Sequence, residues 1–571
     1  MLHSLAVVVR QLETLKRSYG LGCAEKCEHV LARLGRAKFV DVDSLIQFHD
    51  TLLFLRAFPQ SRRVVQLTDE LLTSIEPQVG KFTDSPANVE AFDDESVSGI
   101  AGTKLTNAWT FELARWLVQR HSPQIRPRWN TAERYRHMAT ILPDCMPLLE
   151  DDSFVEADTP YLTWIRAAAG AEKRELAWLL RGIEQLPVSR LDHTSLYDAL
   201  GVDVGWDLSG SSASRTLARR SVSRFFYHDS PLLQRKQVSL MDELVSAPLK
   251  VRTLNRSEGG KTIDMARDAL AVRYRELHGS THGDPDCVFE AEVGRGVQLF
   301  IWGLDVDRRL PLRAYYAGFT LKNGVPINYF EAIGLFEWIE VGFNTFYAFR
   351  EGETAWIYSK LLHLLHQLGG VTCFSVYPYQ IGQDNEEAIQ SGAFWFYRKL
   401  GFRPGPPELL ALAEREEHKI ARDPVHRTSP RTLRKLADGH MFYEFGDNAP
   451  GRWDWFSARA LGLAVQRKMA SNFDGDAAKI RRSTTKLLSR TLSVNLDSWN
   501  AREQWAFSNF ALVLSLVPGL ARWTTKDKRS LVTVIRAKAG RDETRYFRLM
   551  QKHSTLREAF LSLGSALHPD S

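Results

Sequence analysis

The sequence predicts an α+β fold, a central mixed sheet flanked by helical N-terminal and C-terminal regions. Three observations carry that expectation. Apolar residues recur at three- and four-residue steps over much of the chain, as in Leu5, Val8, Val9, Leu12, Leu15 and in Leu45, Phe48, Leu52, Leu55. Short runs rich in β-branched and aromatic residues fall between residues 288 and 380. A helical pattern over residues 354–368 separates the last two of these runs, and that order requires a parallel crossover.

Bulk properties fit several folded units. With 571 residues the chain exceeds one ordinary core. Its 44% hydrophobic, 25% charged and 11% aromatic residues exclude a disordered polymer. The five cysteines, Cys23, Cys27, Cys145, Cys287 and Cys373, are scattered, so neither a disulfide framework nor a zinc knuckle is expected. A reducing, cytoplasmic setting follows. The apolar stretch before Arg10 is too short for a secretory signal, and the longest apolar run, from Phe510, is broken by Pro518 and Gly519. No membrane span is therefore expected.

Four regions are expected along the chain. Residues 1–80 form a helical unit whose helices are separated at Gly20-Leu21-Gly22 and Phe58-Pro59-Gln60-Ser61. Residues 81–250 form a second helical domain, in which LSGSSASRTLARRS from Leu208 reads as a flexible insertion, favoured over a phosphate-attracting basic loop with Arg215, Arg219 and Arg220. Residues 255–405 hold a helix over 262–279, then the strands VFEAEV, VQLFIWGLDV, RAYYAGFTL, INYFEAIGLFEWIEVGFNTF and VTCFSVYPYQ, with helices before and after the last. Residues 406–571 are helical and basic.

The informative stretches are FNTFYAFREGETAWIYSKLLHLL and FSVYPYQIGQDNEEAIQSGAFWFYRKLGFRP. A glycine-containing turn that opens a helix leaves backbone N–H groups pointing outward at the positive end of the helix dipole, where a diphosphate can accept from them. Phe349-Arg350-Glu351-Gly352-Glu353-Thr354 is such a turn, and Arg350 can add a charge-assisted bond. The run Phe394 to Phe402 reads as the end of a helix closed by Gly401. Together these stretches resemble the GNAT superfamily of acyl-CoA-dependent acyltransferases over about a quarter of the chain. That family carries a Gln/Arg-x-x-Gly-x-Gly/Ala loop and a Tyr-x-Lys-x-Gly-Phe-like signature. If Gly352 and Thr354 take the loop's small positions, Phe349 stands at the Gln/Arg position; if Arg350 takes it, the loop is one residue shorter.

The resemblance implies an acyltransferase that moves an acetyl or longer acyl group from an acyl-CoA or acyl-carrier thioester to an amine acceptor, with no metal. It implies that the turn from Phe349 to Thr354 holds the cofactor's diphosphate, that Asn385 contacts the pantetheine arm, and that Tyr397 protonates the leaving thiolate; Tyr397 as a packed core aromatic is the other reading. Transfer to an amine also needs a base. Glu340 is the first candidate and Glu337 the second, because a carboxylate in an apolar strand needs a cavity or a salt bridge to explain it. Two alternatives stand beside the enzyme: an inactive GNAT-fold binding or scaffold protein, and a transferase using aminoacyl-tRNA.

Other motifs carry less. SEGGKT at 257–262 lacks the leading glycine and strand of a phosphate-binding loop. HGSTHGDPDC from His278 reads as a solvated turn, and Cys23/Cys27 and His363/His366 lack the partners of a metal site. Lys479, Arg481, Arg482, Lys486 and Arg490 could contact nucleic-acid phosphates, but a solvated helix face is the favoured reading.

Overall fold

The computed structural model describes all residues except 1, 84–85, 130–134, 151–153, 156–158, 424, 447–449 and 567–571. Two sheets are present among the described residues. The smaller contains β1 (Lys104–Asn107), β2 (Ile125–Arg128) and β3 (Asp203–Asp207), all antiparallel, in the order β1-β3-β2. The larger contains β4 (Lys250–Thr253), β5 (Gly283–Gly294), β6 (Val297–Leu304), β7 (Ala314–Lys322), β8 (Val325–Leu335), β9 (Trp338–Thr345), β10 (Cys373–Val376), β11 (Arg403–Pro404) and β12 (Met441–Glu444). Their spatial order is β11-β12-β10-β9-β8-β7-β6-β5-β4. Neighbours are antiparallel except β9 and β10, which run parallel and are joined by the crossover helix Thr354–Gly369. The α+β expectation with a large mixed sheet and helical flanks is met.

The sheet is buried on both faces. All nine residues of β7, AYYAGFTLK, are buried, the pattern of a strand packed on each side rather than facing water. Side chains alternate across β9. Phe343 packs on Tyr358 of the crossover helix at 5.0 Å between ring centroids, while Trp338, on the other face, stacks on Trp453 at 5.4 Å. The helix Arg256–Ala271 covers that second face farther along, through Ile263 and Ala266 against Val288, Phe300, Trp302 and Phe319.

Both termini are sewn to this sheet. One hydrophobic core runs from Val8 and Phe58 through Val341 and Tyr358 to Phe547 and Phe560. Asn323 in the β7–β8 turn donates to the carbonyl of Ala57 at 2.9 Å, and the His228 N–H donates to that of Pro59 at 2.8 Å. At the other end Arg309 donates to the Arg541 carbonyl at 2.6 Å and Lys538 to the Arg313 carbonyl at 2.8 Å. Residues 105–208 instead keep a separate core around Trp109, Leu142, Ile165 and Trp206, closed off by Ala271 and Val272.

Several details depart from expectation. The region 81–250 carries β1–β3 as well as helices, because four- and five-residue strands are too short to show alternation against their helical surroundings. The segment from Leu208 is a packed strap: Ser211, Ser214, Arg215 and Thr216 are buried, and Arg215 donates to the carbonyls of Ser96 and Ser98. Its small residues let the backbone pass close to neighbouring elements, which composition alone reads as a solvated loop. The helix expected over 262–279 begins earlier, at Arg256, behind an Asn255/Glu258 capping box that places the glycines of SEGGKT inside it. HGSTHGDPDC forms the short helix His278–Thr281 and the start of β5. The large sheet also draws β12 from beyond residue 405.

Phe547 tests the attachment of the C-terminal region. Its ring fills the space beside Gly334, where a Cβ would lie 2.5 Å from Cζ, and beside Gly369. Phe547→Ala is expected to lower unfolding stability by about 3–5 kcal/mol, read as a shift of the urea midpoint with unchanged m-value. A loss below about 1 kcal/mol would mean that this helix does not share the core.

Candidate functional site

The parallel pair β9–β10 is the place where this sheet opens. Only Cys373↔Trp338, Phe374↔Ile339 and Ser375↔Glu340 are in register; β10 then stops at Val376 while β9 continues to Thr345. A cleft outside the carboxyl ends of parallel strands, next to a change of strand direction, is a common ligand position in α/β sheets. Glu340 stands at this point. Its carboxylate lies 3.1 Å from His440 Nε2, and the two side chains are 19% and 36% exposed. Tyr377, which directly follows β10, sets its ring edge-on to the His440 imidazole at 5.3 Å and is itself exposed. On the same face one step back, Trp338 donates to Ser375 Oγ at 2.8 Å.

Chemically, this is a carboxylate that orients an imidazole. With the proton on Nε2 facing Glu340, Nδ1 holds the lone pair, and an imidazole so fixed can take a proton from a bound amine. His440 and Tyr377 were not among the residues expected from sequence. His440 is 100 residues from Glu340 and arrives only because β12 inserts between β10 and β11.

The glycine turn lies on the other face and is filled from within the protein. Glu353 is fully buried: Arg295 Nε donates to it at 2.9 Å, the Leu233 N–H at 3.1 Å, and Lys322 Nζ lies 3.7 Å away. Glu351 pairs with Lys16 at 2.9 Å and Arg17 at 2.7 Å, both from the N-terminal helical unit. Arg350 pairs with Glu387 and stacks over Tyr347 at 3.8 Å. Gly352 faces Phe58, whose Cζ would be 2.5 Å from an added Cβ, and Phe349 is buried. Thr354 begins the crossover helix, which has no side-chain cap. The N-terminal unit covers this turn, and two carboxylates border it.

The remaining expected residues have identifiable partners. Tyr397 is buried among Tyr358, Phe396 and Phe402 at 5.6, 5.1 and 5.7 Å, and burial pushes its hydroxyl well above the usual phenol range. It lies on the crossover-helix side, across the sheet from Glu340. Asn385 caps the helix Glu386–Ser391, accepting from the Ala388 N–H at 3.1 Å and donating to the Tyr379 carbonyl at 3.0 Å. Glu337 sits in the turn between β8 and β9, next to Phe336 with its left-handed backbone, and accepts from Trp453 Nε1 at 2.9 Å and Arg557 Nε at 2.8 Å. It ties the last helix to the sheet. The structure thus brings Phe349 to Thr354 into one filled turn, links Arg350 of that turn through Glu387 to the helix that Asn385 caps, and sets Glu340 and Tyr397 on opposite faces of the sheet.

Among the described residues no group of three or more His, Cys, Asp or Glu side chains is placed to hold a metal ion, and no helix is long and apolar enough to cross a membrane. The chain matches no family model, no curated protein and no solved structure.

The buried cations behind the turn set a pH dependence. His228 lies among the rings of Tyr19, Phe58 and Phe226, its Nε2 without a partner, and burial together with Lys322 and Arg295 pushes it down to about 2. Burial also pushes Lys322 down to about 7. The unfolded chain therefore takes up the His228 proton near 6.5 and the native state does not. Between those values the unfolded state binds more protons, so stability falls as pH drops below about 6.5. His228→Phe, which keeps a ring in place, is expected to flatten this fall in thermal midpoint between pH 7.5 and 5; an unchanged slope would mean that His228 does not contribute.

Proposed function

We propose that this chain is a GNAT-type acyltransferase that moves an acyl group from a thioester donor, acyl-CoA or an acyl-carrier, to an amine. The observation that carries the reading is the partly exposed Glu340–His440 pair at the carboxyl end of the β9–β10 crossover. The connectivity supports it: two helices after β4, antiparallel strands through β9, a crossover helix to parallel β10, further helices, and a last strand, β12, inserted between β10 and β11. From the helix Arg256–Ala271 through β10 and the helices after it this is the order expected from the sequence; β4 and β12 are additions to it.

In this reading the amine approaches the face that carries Glu340, and the Glu340–His440 pair removes its proton as the nitrogen attacks the thioester carbonyl. The tetrahedral intermediate then collapses by breaking the carbon–sulfur bond, and the thiolate is protonated. General-base assistance of this kind contributes about 10²–10⁴-fold. Tyr397, the acid that the resemblance implies, is buried across the sheet from Glu340, so in this reading the imidazolium of His440 returns the proton to the thiolate.

The filled turn at Glu351–Gly352–Glu353 favours a second reading, a GNAT-fold binding protein that takes no CoA. Calorimetric titration with acetyl-CoA and a long-chain acyl-CoA, followed by a thiol-release assay over a panel of amines, separates the two. The transferase reading expects thioester binding and turnover that falls about 10²-fold or more in Glu340→Gln and in His440→Ala, with binding retained. Absence of binding and turnover for CoA and carrier-linked thioesters alike would leave the binding protein.

A further inference from the structure

The separately cored region 105–208 meets the large sheet along a cleft of about 230 Å³. One wall comes from the helices Phe111–His121 and Arg190–Leu200, the other from the helix Arg256–Ala271 and the turn Val306–Arg308 after β6. Four arginines line it, Arg115, Arg190, Arg267 and Arg308, against two carboxylates, Glu112 and Asp305. Two further carboxylates just outside the lining pair with these arginines, Glu184 with Arg115 at 2.6 Å and Asp264 with Arg267 at 3.3 Å, which leaves Arg190 and Arg308 to share Glu112.

Glu112 is the hub. Its side chain is only 9% exposed and accepts from Arg115 at 3.2 Å, Arg190 at 2.9 Å and Arg308 at 2.9 Å. Arg115 has Glu184 as a second partner at 2.6 Å; Glu112 alone serves Arg190 and Arg308, and one carboxylate cannot neutralise both but can hold them in a fixed arrangement around an opening. Arg267 is fixed independently, by Asp264 at 3.3 Å and by the carbonyls of Ser280 at 2.8 Å and Thr281 at 3.0 Å. Each guanidinium has five N–H donors in a rigid fork that matches phosphate oxygens. Arg308 uses one of them on Glu112, which leaves donors for a ligand. Clustered cations in a concave, partly desolvated site concentrate anions, and clefts between structural units are frequent ligand sites. At roughly 30 Å³ per water the cleft has the volume of about eight waters, enough for one or two phosphate groups and a small organic body.

We infer that this cleft binds a small phosphorylated molecule, its phosphate oxygens held by Arg115, Arg190 and Arg308. The site is distinct from the Glu340–His440 pair: Glu340 registers with Ile333 and Ile333 with Tyr315, while Gly283 at the cleft pairs with Leu304 two strands farther on. Four strand spacings separate β9 from β5, on the order of 19 Å. The inference therefore does not depend on acyl transfer.

Calorimetric titration at low ionic strength tests it, with inorganic pyrophosphate, a nucleoside diphosphate and a sugar phosphate as probes against the full-length protein. At least one probe is expected to bind below about 1 mM, with affinity falling as salt is raised. Arg308→Ala and, separately, the more exposed Arg190→Gln are each expected to weaken it about tenfold or more. Tightest binding by pyrophosphate would identify inorganic phosphate as the natural source, and tightest binding by either organic probe a phosphorylated metabolite. If Arg308→Ala fails to fold, Arg190→Gln carries the test. The inference is overturned if no probe binds, or if a folded variant binds with wild-type affinity.

Discussion

A sheet that is apolar on both faces governs this molecule. Antiparallel strands commonly leave one face to water, yet β7 buries every residue and β8 exposes little, so both surfaces must be covered. The crossover helix and the N-terminal helices cover one. The helix Arg256–Ala271 and the segment around Trp453 cover the other. The flanks are consequently part of the same core as the sheet, joined to it by Asn323 at one end and by Arg309, Lys538 and Arg557 at the other. The region 105–208 is different, because its own apolar residues already close on themselves.

That covering also shapes the chemistry on each face. On the crossover-helix side the N-terminal unit brings Lys16, Arg17 and Phe58 against the glycine turn, and the acidic residues of the turn have become structural partners of cations. Glu353 with Arg295 and Lys322 is a buried ion network, in which removing Glu353 leaves two cations uncompensated. On the opposite face the cover is incomplete beside β10, and there Glu340 and His440 remain in contact with solvent. Solvent access therefore distinguishes the two faces more than residue type does.

The strands from β5 to β10 and the crossover helix were legible because doubly buried strands produce apolar, β-branched runs that stand out from helical periodicity. β12 was not: MFYE is four residues long and follows a helix and Gly439-His440, with nothing local to signal pairing. Glu340 was legible as a carboxylate within an apolar strand. His440 was not, since its position depends on strand order rather than on sequence spacing. The same holds for the arginine cleft, whose residues from Glu112 to Arg308 come from distant segments. Glu337 and Asn385 have residue types that chemistry uses, but the structure gives them an ion pair and a helix cap. Local pattern cannot separate those duties from catalysis, because both demand the same functional groups.

The insertion of β12 between β10 and β11 bears on how the chain is made. Synthesis proceeds from the N-terminus, and β10 and β11 emerge from the ribosome well before Met441–Glu444. Until then β10 has an unpaired edge whose residues, Cys373 to Val376, are all destined for the interior. Such an edge is a template for pairing with another chain. A nascent or truncated protein ending before residue 441 therefore presents an adhesive strand that the finished molecule conceals, and its solubility in the cell rests on how quickly the last third of the polypeptide follows.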